Sequence, residues 1–358
     1  MTTYNLTLSE ELVKRSANHV LHHYKSNSKA IIIYTADAFK RSLRFISVFL
    51  LLFNQSLCQN NHWSNISPSM GYINSLEIDN SHPDTLFAAT PYGVYRTFDG
   101  AKNWLKTNLR GNEIKHINIS QTNAAIIIAS SDSVVYKSTD YGATWSEIYH
   151  SNNIIGSIAI DPKNAQSFWV GVDVSEYKVY EDNLYHTKDG GNTWESVPFG
   201  PKEDEIKLSY VYSIHFDRSC DSLIYVSGQN DSYYNRGCIF ISRDNGKNWE
   251  GNSMTTCSRN NAFSVTSTPQ NYEPHHVYVL VDGCKVEKQL FKSFDYGKTW
   301  KEVGTIFNRD DSKIAGEKMT IDIYEPEWLY IGGNYKNTSS LFMYNQEENK
   351  WYYGLDCP

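Results

Sequence analysis

The sequence has no apolar run approaching the roughly 20 residues a membrane-spanning helix needs; the run from Phe45 to Phe53 is nine residues long. Basic charge is in short supply, with 33 Lys and Arg against 40 Asp and Glu and a net charge of -7. Residues 1–58 carry +4 and the remainder -11, so the body lacks the cationic face that phosphate backbones require, and nucleic acid is excluded as a partner. No P-loop, HExxH, GxSxG or CxxC pattern occurs, which removes the usual phosphate-cradling, zinc-hydrolytic, serine-hydrolase and dithiol chemistries. No cofactor or metal site is expected. Long stretches of 3.6-residue periodicity are missing too, so the chain is not a helical bundle.

What is abundant is aromatic: 26 Tyr, 9 Trp and 15 Phe, or 14% of the chain. These residues favour pleated, half-buried surfaces and argue against disorder.

Lys40, Arg41 and Arg44 precede the 45–53 run, and Ser56 and Cys58 follow it. A basic segment, an apolar core and small residues two apart match a secretory signal at 41–58, cleaved after Cys58. A lipoprotein signal fits less well, because Leu57 stands where a small residue is wanted. Residues 1–40 read as an N-terminal tail or a start placed too early, with a helix expected around Glu10–Tyr24. The mature chain, 59–358, is expected to be secreted or cell-surface, with no transmembrane span. It holds Cys220, Cys238, Cys257, Cys284 and Cys357. In an oxidising compartment some should pair; Cys238–Cys257 is the favoured bridge and Cys257–Cys284 the alternative.

Self-similarity is the strongest signal. Five segments align without gaps: TFDGAKNW (97–104), STDYGATW (138–145), TKDGGNTW (187–194), SRDNGKNW (242–249) and SFDYGKTW (293–300). A sixth, YNQEENKW (344–351), keeps only the Trp. The tryptophans stand 41, 49, 55, 51 and 51 residues apart. Each motif follows an aromatic-rich strand (VYRT, VYKS, LYHT, IFIS, LFKS), with two more strand-like runs upstream. Four short strands per such period are the mark of a propeller blade. The fold expected is all-β: one β-propeller of about six four-stranded blades, seven remaining open. Residues 62–66 (HWSNI) are expected to close the ring beside 350–354.

The motif has its own logic. Gly at position five permits a positive φ, Asp at position three accepts from turn amides, Ser or Thr at position one ties the incoming strand, and Trp closes the hairpin. Ala101 replaces that Gly in the first copy, and the last copy lacks both Asp and Gly, so those two turns are expected to be less well formed.

The pattern S/T-x-D-x-G-x-T/N-W resembles the Asp-box of BNR-repeat propellers: sialidases, sortilin-type receptors, two-domain xyloglucanases and photosystem assembly factors. The resemblance covers about residues 62–358 and implies a propeller in which the Asp-boxes are structural. Asp99, Asp140, Asp189, Asp244 and Asp295, with Trp104, Trp145, Trp194, Trp249 and Trp300, are therefore read as fold residues spread around a rim, not as catalytic or metal-binding groups. A sialidase of that superfamily carries an Arg-Ile-Pro start, which is absent here. A xyloglucanase uses two carboxylates across a cleft between two propellers, and the segment TPYGVYR (90–96) has no acid at the corresponding place. No catalytic residue is assigned.

With strands A to D running outwards, the Asp-box is the C–D turn and shares a face with the A–B turns. The opposite face carries the B–C and D–A connections. Those at 173–183, 199–210, 229–237, 253–261, 282–289, 307–313 and 333–340 are long, so the decorated part lies on blades three to six. There Tyr177, Tyr180, Tyr233 and Tyr234 are candidates for stacking on a ligand, and Glu181, Asp231, Arg236, Arg309 and Asp310 for hydrogen bonding to it. The expectation is a secreted, non-catalytic module binding a glycan or a protein with this face; the alternative is a divergent glycoside hydrolase.

Overall fold

The computed structural model describes residues 22–26, 29–33 and 73–354, apart from 111, 175–182, 199–207, 231–236, 255–261, 271, 283–287, 307–314, 322–325 and 336–337. From 75 to 354 the chain forms six four-stranded antiparallel sheets, each laid out in chain order. Their first strands (A) are Ser75–Ile78, His116–Ile119, Ile155–Ile160, Leu208–Phe216, Ala262–Ser267 and Ala315–Ile321. Each lies against the next around the axis, and strands B, C and D follow outwards. Among the described residues none is helical.

The blades stack because each sheet is apolar on both faces near the axis. The B strands Leu86–Thr90, Ile127–Ser130 and Phe168–Val172 are buried at every position, whereas the D strands Ser146–His150 and Glu195–Ser196 are largely exposed. The apolar clusters lie between blades. Phe87 and Val94 of the first pack with Ile117, Ile127 and Tyr136 of the second; Trp169 and Leu184 of the third pack with Val211, Val226 and Phe240 of the fourth. Each such side chain contributes about 1.5–3 kcal/mol by leaving water.

The five complete Asp-box turns share the same Ser/Thr and Asp bonds. In the second, Ser138 Oγ donates to Asp140 Oδ1 (2.8 Å) and accepts from Gly142 N (2.8 Å), while Asp140 accepts from Thr144 N (2.8 Å) and Thr144 Oγ1 (2.6 Å). Trp145 Nε1 then donates to Gly142 O at 3.1 Å. Positions four and five both take a left-handed backbone, as in Tyr141 (φ 57) and Gly142 (φ 75). The turn also binds the A–B turn beside it: Gly190 N donates to Gln166 O at 2.8 Å and Asn245 N to Ser222 O at 3.1 Å. The first box corrects the expectation drawn from Ala101. Ala101 adopts φ 67, and its amide still reaches Thr97 Oγ1 at 3.1 Å, because the side-chain bonds of Asp99 and Thr97 hold the turn against the Cβ penalty. The last copy differs in kind, since Asn345 Oδ1 accepts from Glu347 N and Glu348 N at 3.0 Å each and Asn349 supplies the positive φ.

Gly246 shows how tightly these turns meet the neighbouring blade. Its φ is +83, and a Cβ there would fall 2.2 Å from the Trp169 ring of blade three. Gly246→Ala should therefore destabilise the fold by more than the about 1–2 kcal/mol of backbone strain alone; a thermal melt with unchanged midpoint would refute this packing.

A second repeated device escaped the sequence reading. The residue just before each Ser/Thr of the box is basic in four blades, and three of these side chains reach the next blade's C–D turn. Arg96 Nη1 donates to Tyr141 O (2.6 Å), Lys137 Nζ to Gly190 O (2.9 Å) and Lys292 Nζ to Gln346 Oε1 (2.8 Å). Gln346 occupies the Asp position of the degenerate sixth box, so the lost acid is replaced by a bond between blades.

Further expectations are revised or fall outside the described residues. His22–Ser26 pairs with Lys29–Ile33 as an antiparallel hairpin, so His22–Tyr24 are strand and not the end of a helix; the β-branched run Ile31–Ile33 supplies the partner strand. Residues 333–340 are no long loop: Gly333, Asn334 and Tyr335 pair with Ser340, Ser339 and Thr338, because polar residues can ladder wherever the register lets them. Residues 208–210 likewise belong to strand A of blade four, not to the preceding connection. The signal segment and the 62–66 closing strand lie outside the described residues. Cys238 is buried at the head of strand C in blade four; its expected partner Cys257, and Cys284 of the alternative bridge, fall outside the described residues.

Candidate functional site

The face opposite the Asp-boxes is where the strands A begin. Of the residues expected there, Tyr177, Tyr180, Glu181, Asp231, Tyr233, Tyr234, Arg236, Arg309 and Asp310 all fall outside the described residues. The described part of that face contributes a different set, at the mouth of the central channel.

Tyr210 and Tyr212, at the head of strand A in blade four, stack with centroids 4.1 Å apart. Phe263 of blade five continues the run, 5.2 Å from Tyr212. A bulged register on either side of Val211 makes this possible. Leu208, Val211 and Ile214 turn into the core, leaving Tyr210 and Tyr212 half-buried. Tyr210 lies over blade three at Gly156, where a Cβ would stand 2.7 Å from its ring. The aromatic arc thus spans three blades.

The facing wall is polar. Deeper in the channel, toward the A–B turns, Asn118 Nδ2 donates to Glu77 Oε1 at 3.2 Å, and Asn118 Oδ1 accepts from Ile160 N at 2.9 Å. Lys115 lies 2.9 Å from Glu113 and 4.0 Å from Asp132. His116 points between the strands. Burial holds its imidazole down to about 3, and the Lys318 and Lys115 ammonium groups push the same way, against a backbone hydrogen bond to Ile155. It is neutral at physiological pH, able to donate or accept but not to attract an anion. Glu77 is the one carboxylate among the described strand-A side chains.

Groups elsewhere that resemble catalytic sets do not act as such. Ser267 Oγ lies 2.9 Å from His215 Nε2, but Ser267 is fully buried. Burial, with Arg218 next, keeps His215 down to about 3, too weak a base to activate a hydroxyl at neutral pH. Beside it, Asp217 and His275 approach to 3.1 Å between blades four and five. The Asp-box carboxylates are spent on their own turns: Asp140, with the Thr144 hydroxyl and amide as the leading donors, is held at about 2. The other boxes repeat the arrangement at Asp99, Asp189, Asp244 and Asp295. Among the described residues no three His, Cys, Asp or Glu side chains converge as metal ligands would.

Comparison with known proteins agrees with this geometry. The family model described as Sortilin-Vps10 (sortilin, neurotensin receptor 3) matches residues 92–235. A xyloglucanase from a Paenibacillus species is 25% identical over 235 residues, 57% of this chain and 21% of that protein. Sortilin from Danio rerio is 25% identical over 199 residues, 50% of this chain and 20% of its own. The chain thus spans about a fifth of the length of these relatives. Among solved structures, the GH74 xyloglucanase from Xanthomonas campestris superposes with a TM-score of 0.60 at 15% identity, covering 80% of this chain and 46% of that one. YCF48 from Cyanidioschyzon merolae gives 0.54 at 11% identity, covering 78% and 83%. With its six four-stranded sheets and recurring Asp-box turns, the chain is a β-propeller similar to the BNR-type propellers of sortilin and the xyloglucanases.

Proposed function

We propose that this protein is an exported, non-catalytic propeller that binds carbohydrate with the face opposite its Asp-boxes, centred on the channel mouth. The observation that carries the reading is the Tyr210–Tyr212–Phe263 arc, a continuous half-buried aromatic wall facing a polar one. Aromatic faces beside fixed hydrogen-bonding groups suit sugar rings, which present an apolar face and an edge of hydroxyls. The name of the Paenibacillus relative, xyloglucanase, points to the same chemical class. Export rests on the signal pattern at 41–58. Glycoside cleavage needs two carboxylates at a set separation; among the described strand-A side chains the one carboxylate, Glu77, is bonded to Asn118.

The test is a glycan array followed by calorimetry. Tyr210→Ala/Tyr212→Ala should weaken binding of the best glycan by tenfold or more, about 1.4 kcal/mol, and Ala at Tyr177, Tyr180, Tyr233 and Tyr234 should add to the loss. Binding unchanged in both variants would place the ligand elsewhere. Release of reducing sugar by the wild type would instead establish the hydrolase alternative.

A further inference from the structure

The Asp-box face should be plain turns, yet it carries exposed rings. Of seven large hydrophobic side chains exposed on the described part, four stand at positions two and four of Asp-boxes: Phe98 (48% exposed), Tyr141 (38%), Phe294 (55%) and Tyr296 (37%). The turn does not ask for them. Other boxes of this chain fill position two with Thr139, Lys188 or Arg243 and position four with Gly100, Gly190 or Asn245, and they make the same internal bonds. The tyrosines are worse than unnecessary. Position four is left-handed, which Gly and Asn tolerate, whereas Tyr141 (φ 57) and Tyr296 (φ 59) hold bulky side chains there under backbone strain. Strain retained where an unstrained residue would serve marks a functional position.

Three of the four rings are also braced from below. The Arg96 guanidinium sits 5.3 Å from the Phe98 centroid and donates to the Tyr141 carbonyl, joining blades one and two. In the same register of blade five, buried Lys292 sits 4.7 Å from the Phe294 centroid, and His276 meets that ring edge-on at 4.9 Å. His275 stacks flat on Tyr296 at 4.4 Å and 13°. His275 and His276 are each only 4% exposed, and His275 is fixed from beneath by Asp217, whose Oδ2 lies 3.1 Å from its Nε2. Phe294 and Tyr296 are thus held by a buried layer and open to solvent above, while Phe98 and Tyr141 are joined across two blades through Arg96.

We propose that the Phe98/Tyr141 and Phe294/Tyr296 pairs form a second carbohydrate-binding surface, on the Asp-box face, that takes neutral sugar rings by stacking. Fixed rings lose little freedom on binding. The surroundings favour a sugar over a protein partner: the rings belong to turns whose other residues are polar, as Lys102, Asn103, Lys298 and Thr299 are, whereas a protein interface wants a contiguous apolar centre. Two platforms on one rim suit a long polysaccharide, on which the second contact strengthens the first through effective concentration. The inference rests on the carbohydrate reading above but on none of its residues.

The experiment replaces the rings with residues other boxes of this chain already use: Phe98→Thr, Tyr141→Asn, Phe294→Thr and Tyr296→Asn together. The probes are immobilised xyloglucan, cellulose and galactomannan, with thermal melting in parallel. The expected result is at least a tenfold loss of apparent affinity for the retained polysaccharide, with a melting temperature equal to or above wild type because strain at two positions is relieved. Wild-type affinity in the quadruple variant overturns the second surface. If Tyr210→Ala/Tyr212→Ala abolishes binding at the same time, the channel mouth stands without it. A wild-type protein that holds none of the three probes, but is captured through these rings by a protein, overturns the carbohydrate assignment of both faces.

Discussion

Acidification should unfold this protein well above the range in which carboxylates titrate. His116, His215 and His276 are held neutral in the fold, with imidazoles at about 3, about 3 and about 4 against 6.5 in the open chain. Burial is the leading cause in each. Lys318 and Lys115 add to it at His116, Arg218 and His275 at His215, and Lys292 and His275 at His276; Asp217 opposes at His215 and a Gln346 hydrogen bond at His276. Above 6.5 both states are neutral and nothing is lost. Below it the unfolded chain takes up protons that the folded one refuses, so each histidine removes about 1.4 kcal/mol of stability per pH unit until its folded value is reached. At about pH 4.5 the three together remove up to about 8 kcal/mol, comparable to the whole stability of an ordinary domain. The five Asp-box carboxylates, lowered from 3.8 to about 2, follow the same sign in a lower pH window. Their contribution is intact above about pH 4 and lost only between there and pH 2. Tryptophan fluorescence against pH should thus show a midpoint between about pH 6 and 4, moved to lower pH by His116→Gln/His276→Gln. A midpoint below 4 that ignores this double variant would show that the histidines do not govern acid unfolding.

Trp249→Ala should cost about 3–5 kcal/mol, the range for losing a buried aromatic. The indole is 8% exposed and meets Trp169 of the preceding blade edge-on at 6.2 Å, and its Nε1 donates to Gly246 O at 3.1 Å. The substitution therefore opens a cavity between blades three and four and frees the turn. Trp194→Ala should fall at the lower end. Its ring is half-exposed, although Nε1 reaches Ile148 O of the preceding blade at 3.0 Å. Asp295→Ala should cost less again, about 1–3 kcal/mol, because it strands turn donors without emptying core volume. The order Trp249, Trp194, Asp295 in thermal melts is the outcome to look for. Wild-type stability in the Trp249 variant would mean the motif does not lock the hairpin.

The blades could be read from the sequence because each Asp-box is complete within eight consecutive residues, and its Trp marks the repeat whatever the loops do. The channel mouth was harder. Tyr210 and Tyr212 look like the tail of a polar connection, and only the two bulges around Val211 turn both toward the axis. Which side chains face a channel depends on register and bulges, which periodicity does not encode. The links between blades left a visible trace, in Arg96, Lys137 and Lys292 standing just before the Ser or Thr. Their partners are backbone carbonyls or a Gln, though, and such acceptors leave no pattern in a sequence.

Those links all point one way. Arg96, Lys137 and Lys292 each send a donor forward, from one blade to the next in the chain, and none of the three reaches back. The joint between blades is therefore head-to-tail, with unlike surfaces meeting, as in an assembly that closes only when its rotation allows. A blade of this kind brings both halves of the joint with it: a cation for the unit ahead and a carbonyl for the unit behind. Inserting or deleting one whole blade would preserve every remaining seam, and the number of blades would be decided by geometry at the point of closure rather than by any change in the chemistry between neighbours.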